Sequence, residues 1–309
     1  MKIKLFVMAL LCFLPGCKND AKQEAVVESA TTVAPKTVAY VSNYPLYYFT
    51  TRIGGSHVDV RFPEGSAKNP SAWTPDATEV GGMQGADLIL LNGATYEGWL
   101  MNVSLPDSLL VDTSGDFSDR LLSGGETFTH SHGTEGEHRH EGVASRTWLD
   151  LGLALQQAQS IRNALVAKQP GHRADFEARY ESLAADLLEL DREFKNIGDG
   201  KALPKPAFSR PVFQYFMKAY HLEGPTLDWQ AETPATHDML HEIGHLQKDQ
   251  GIGVLIWDQA PAEKSIAQLE QRGIRSVVID PLEDMPENGD FITGMRSNLQ
   301  ALKSILPQD

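Results

Sequence analysis

Two periodicities take turns along this chain. Short apolar runs rich in β-branched residues, at Thr37 to Ser42, His57 to Phe62, Asp87 to Leu91 and Leu109 to Asp112, have the length and composition of strands. Between them, Pro45 to Ile53 and Ala77 to Gly85 carry helical spacing. After Trp148 a helical pattern runs to about Lys168, where Pro170 and Gly171 interrupt it. Phe176, Tyr180, Leu183, Leu187, Leu190, Phe194 and Ile197 then follow at alternating spacings of four and three, one continuous apolar stripe. This stripe predicts a long helix packed along its whole length and ended by Gly198 and Gly200.

The alternation then resumes. Pro206 to Ser209, Gly253 to Trp257 and Ser276 to Asp280 read as strands, with helices at about Pro211 to His221, Ala235 to Gln250, Ala262 to Arg272 and Phe291 to Ile305. Strand–helix alternation on both sides of the long helix predicts an α/β fold. Its lobes, with mostly parallel sheets, span residues 37–168 and 199–309, joined by one long rigid helix over 171–198. A cleft between the lobes is the natural ligand site.

The N-terminus adds a processing signal. Lys2 and Lys4 precede an apolar run from Leu5 to Phe13 that is too short to span a bilayer, and Leu14-Pro15-Gly16-Cys17 has the form of a lipobox. Residues 1–16 are therefore expected to be removed and Cys17 acylated, placing the protein on the exported face of a membrane. Residues 17–36 are small, polar and charged, and read as a tether. Cys12 leaves with the signal, so neither an intrachain disulfide nor a thiolate metal site is expected. A formal charge of −14 argues against nucleic acid and favours a surface that attracts cations. No P-loop, dinucleotide fingerprint or catalytic serine motif is evident, and Trp73, Trp148 and Trp229 read as packing residues.

Five stretches in order resemble the solute-binding lipoproteins of zinc and manganese ABC importers. Tyr44 to Gly55 is similar to the family's first helix and its Gly-Gly exit, and Ala86 to Gly93 with Glu97 and Trp99 to its second strand and turn. Trp148-Leu149-Asp150, Tyr215 to Leu222, and Asp280-Pro281-Leu282 with Met295 to Leu302 complete the match. The resemblance implies a noncatalytic, monomeric binding protein that takes a divalent cation, zinc first, between two lobes, and delivers it to an ABC permease and its ATPase.

Such proteins grip the cation with imidazoles and carboxylates. Carried over position by position, the first three donors fall here on Ser71, Arg146 and Arg210, with Ser209 beside the last, and only Asp280 is retained. A guanidinium stays protonated and offers no lone pair, so it cannot be a donor. Two alternatives follow for this degenerate cleft. Arg146 and Arg210 flank Asp280 in a salt-bridged network that locks the lobes, or they bind an anion or anionic metal chelate.

Metal contact is expected instead from a His-rich loop at residues 129–141, where His130, His132, His138 and His140 place four of the ten histidines within eleven residues among Glu135, Glu137 and Glu141. Gly133, Gly136 and Gly142 predict a flexible loop. Secondary candidates are Asp258 at a strand end and His237, His241 and His245 on one helix face. His241-Glu242-Ile243-Gly244-His245 also fits the HExxH pattern of zinc metalloproteases, a remote alternative. A metal buffer or chaperone that never docks on a permease is the nearer one.

Overall fold

The computed structural model describes residues 35–63, 70–131, 137–197 and 204–306. Strands β1 (Thr37–Val41), β2 (Val58–Arg61), β3 (Leu88–Leu91) and β4 (Leu110–Asp112) form a parallel sheet in the order β2-β1-β3-β4. All four residues of β3 are buried, as expected of a strand covered on both faces. Helix α1 (Tyr44–Gly54) starts where the Asn43 side chain accepts from the Leu46 N–H and Pro45 presets the first turn. It ends at Gly55, whose φ of 52° would strain a residue with a side chain. Helix α2 (Ala77–Gln84) is opened by a capping box between Asp76 and Glu79.

Helices α3 (Leu151–Lys168) and α4 (Arg173–Lys195) follow, α3 capped by the Asp150 carboxylate. The predicted stripe is the buried face of α4: Phe176, Leu183, Leu187, Leu190 and Phe194 are fully buried, Tyr180 is half-buried, and Ile197 lies just past the last helical residue. Gly198 and Gly200 lie outside the described residues. A second parallel sheet holds β7 (Lys205–Phe208), β8 (Ile252–Trp257) and β9 (Arg275–Val278) in that order. It carries α5 (Gln214–Ala219), α6 (His237–Gln250), α7 (Glu263–Glu270) and α8 (Phe291–Ser304).

One hydrophobic core runs from Ala39 and Val41 of the first sheet, through α1, α3 and α4, to Val254 and Ile256 of the second sheet and Met295 of α8. The described residues thus form one compact unit. The long helix is a shared wall of both halves rather than a bare connector, since truncating a buried Leu or Phe in it would cost about 2–5 kcal/mol.

One expectation is corrected. The segment predicted as a flexible loop is largely an antiparallel hairpin of β5 (Ser123–Ser131) and β6 (Glu137–Val143), with irregular register near Gly125. Its glycines interrupt the apolar alternation that would announce a strand, whereas ladder hydrogen bonds need only the backbone.

Candidate functional site

The second sheet aims three polar side chains the same way. Arg210 follows β7, Asp258 follows β8 and Asp280 follows β9, so each sits just beyond the carboxyl end of a parallel strand, where open α/β sheets bind ligands. From the first half, Ser71 lies on the short 3-10 turn Pro70–Ala72, and Arg146 immediately precedes another at Thr147–Leu149. These five residues line one cavity of about 540 Å³.

Arg146 is fixed in place by a buried polar network. Asn92, at the end of β3, donates to the Ser145 carbonyl at 2.8 Å, accepts from the Thr147 hydroxyl at 3.4 Å, and accepts from Gln157 Nε2 at 3.1 Å. The residues flanking Arg146 are thereby tied to the first sheet. Its guanidinium, almost wholly buried, donates through Nε to Glu283 Oε2 at 3.0 Å and through Nη2 to Ser71 Oγ at 3.4 Å. Glu283 also accepts from the Tyr96 hydroxyl at 2.9 Å, while Trp148 Nε1 donates to the Pro281 carbonyl at 2.7 Å. The turn after β9 is thus docked on the first half at several points. Burial, reinforced by the Glu283 charge, raises the Tyr96 hydroxyl well above the ordinary phenol range.

Arg210 is paired differently. Its Nη1 donates to Asp258 Oδ2 at 3.3 Å, and the Ser209 hydroxyl donates to Asp258 Oδ1 at 3.2 Å. Asp280 accepts from the Leu282 N–H at 2.8 Å, and its carboxyl is raised by burial and by the neighbouring charges of Asp258 and Glu283. The expected network centred on Asp280 is therefore corrected. Among ion pairs of described residues, Arg146 goes to Glu283 across the halves and Arg210 to Asp258 within the second half. Glu283 was missed in the sequence, although a buried Arg146 guanidinium demands a carboxylate and an acid stands three residues after Asp280.

The cavity is net acidic. Glu232, Asp258, Asp280, Glu283 and Asp284 line it against two arginines, a balance that opposes an anion. It does not assemble a metal centre either: among the described residues, no three His, Cys, Asp or Glu donors in it lie within 4.8 Å of one another. The one trio that does, His57, His172 and Asp175, is elsewhere, where α4 begins. His57 Nε2 is 3.0 Å from Asp175 Oδ2, but the two imidazoles stack at 3.9 Å with planes only 21° apart. One ion cannot lie in both ring planes, so the trio is not a preformed centre.

The histidine candidates divide. Register pairs His130 with His138 and Phe128 with His140 across the hairpin, while His132 lies outside the described residues, as does Cys17. His237, His241 and His245 lie exposed on α6, apart from the cavity. Glu242 accepts from the Trp229 indole N–H at 3.3 Å, and the depression that the imidazoles line has no carboxylate among its lining residues, whereas HExxH chemistry needs one beside the metal.

Two parallel α/β sheets thus share one helical wall, with a polar cavity at their strand ends, an arrangement that suits a solute-binding protein. The chain belongs to the family described as "Zinc-uptake complex component A periplasmic" (ZnuA), which matches residues 39–305. It is 24% identical over 98% of its length to the high-affinity zinc uptake system protein ZnuA of Bacillus subtilis, covering 97% of that protein. It is 23% identical to the metal ABC transporter substrate-binding lipoprotein SsaB of Streptococcus sanguinis, with 97% of this chain and 96% of that protein aligned. Among solved structures, the metal-dependent lipoprotein YcdH of Bacillus subtilis superposes with a TM-score of 0.75 at 21% identity, over 88% of this chain and 100% of that one.

Proposed function

We propose that this protein is the solute-binding component of a metal ABC importer with zinc as its cargo, anchored to an exported membrane face through Cys17 and working as a monomer with a permease and an ATPase. Family membership supports the importer role, and the names of its relatives, a zinc uptake protein and a metal-transporter lipoprotein, support the cargo. His130, His132, His138 and His140 take the metal, while Ser71, Arg146, Arg210 and Asp280 form a degenerate cleft. The observation that carries this division is the Arg146–Glu283 pair at 3.0 Å, which puts a fixed cation and its counter-ion at a family metal position. A guanidinium at that position offers no lone pair to a cation.

Zinc calorimetry on a protein with the four hairpin histidines replaced by alanine tests this reading. Loss of most of the bound zinc is expected. Unchanged affinity and stoichiometry would remove the hairpin from the account. Docking of the purified protein on a permease separates an importer component from a metal buffer.

A further inference from the structure

Helix α6 carries a second pair of imidazoles, well apart from the hairpin in sequence and outside the cavity. His241 and His245 are one helical turn apart on its exposed face, and their Nε2 atoms approach to 3.4 Å with ring planes 76° apart. Two nitrogens on one tetrahedral ion, each about 2.0–2.1 Å from it, are separated by about 3.3–3.4 Å. The spacing of two ligands is already present. The crossed planes also let a single point lie in both rings, which the stacked His57 and His172 do not allow.

We propose that His241 and His245 form a two-ligand site for an imidazole-preferring divalent cation of the zinc, nickel and copper class, with water in the remaining positions. The helix is built to hold the pair still. Thr236 caps its start, Gly251 at φ 76° ends it, and Leu240 and Ile243 are buried beneath the same segment. Gly244, between the two histidines, adds no bulk to a shallow depression of about 290 Å³ that the pair lines. A residue without a side chain there keeps the approach open.

The surroundings set the strength and the chemistry. Lys248 and Arg272 share the depression and oppose a cation, so affinity is modest. Arg272 is partly restrained, its Nη1 donating to the Gln268 carbonyl at 2.8 Å. His237 lies a turn earlier with its ring centroid 6.4 Å from that of His241, and its Nδ1 is 3.5 Å from Asp238 Oδ1, so it stands outside the pair. Glu242, whose Oε2 accepts from the Trp229 indole, is not among the residues that line the depression.

Peptide-resolved modification of histidines by diethyl pyrocarbonate, on the full chain with and without zinc, reads this site separately from the hairpin. Zinc is expected to protect both His241 and His245, and Glu242→Gln to keep that protection. In His241→Ala, the zinc concentration that protects His245 is expected to rise about tenfold or more, as a two-point grip becomes one-point. Equal modification of the two residues with and without zinc, or full protection of His245 at the original concentration in His241→Ala, would overturn the proposal.

Discussion

Arg146 and Glu283 meet at 3.0 Å across the cavity, the first from the segment that leads into α3 and the second from the turn after β9. Their side chains are 8% and 15% exposed, so the pair is shielded from solvent and salt. It ties the turn after β9 to the segment before α3, at one edge of the cavity.

Removing one partner strands the other in a buried setting. Arg146→Ala is expected to lower unfolding stability by about 3 kcal/mol, measured by urea denaturation. The double variant Arg146→Ala, Glu283→Ala should lose less than the two single losses added together. Strict additivity would mean that the pair is not coupled.

The proposal that Ser71, Arg146 and Arg210 replace metal donors in the cleft predicts that three substitutions repair it. Ser71→His, Arg146→His and Arg210→His together replace two fixed cations and a hydroxyl by neutral nitrogen donors around Asp280. This variant is expected to bind one zinc ion more than the parent, as counted by equilibrium dialysis and metal analysis. An unchanged count would show that the backbone no longer holds those positions in register.

Strands and helices were legible because their apolar periods are long and uninterrupted. The helix expected over 171–198 is Arg173–Lys195, two and three residues shorter at its ends, and the strand expected from Asp87 to Leu91 is Leu88–Leu91. The cleft positions were legible as well, because Pro70, Trp148 and Pro211 mark them by local sequence. The partners of the arginines were not. Glu283 reaches Arg146 across 137 residues of chain and Asp258 reaches Arg210 across 48, and no local pattern encodes pairing over such separations. The hairpin was hidden for the opposite reason: glycine and histidine carry no strand signal, and its pairing rests on backbone bonds.

Glu97 is a buried carboxyl that accepts from the Asn92 and Gly93 N–H groups at 2.6 and 3.2 Å. Those bonds favour its ionised form, but desolvation outweighs them and pushes it from 4.5 up to about 7. Its folded form then holds a proton more tightly than its unfolded form. The stabilisation is complete below about pH 4.5 and is lost as pH rises to about 7, a change of about 3 kcal/mol. Glu97→Gln should remove that slope, so the stability difference between parent and variant should shift across this window. A constant difference would contradict the burial argument.

Cys17 supplies a simple test of attachment. Replacing it with alanine is expected to move the protein from the membrane fraction to the soluble exported fraction, read by fractionation and mass spectrometry of the mature N-terminus. Continued membrane association would point to a different anchor.

The account rests on where the metal sits. Zinc-soaked crystals with anomalous scattering at the zinc edge show that directly. The account predicts anomalous peaks at imidazoles, those of the β5–β6 hairpin foremost, and none beside Asp280. A fully occupied peak between Asp280, Asp258 and Ser71, with Arg146 and Arg210 swung away, would contradict it.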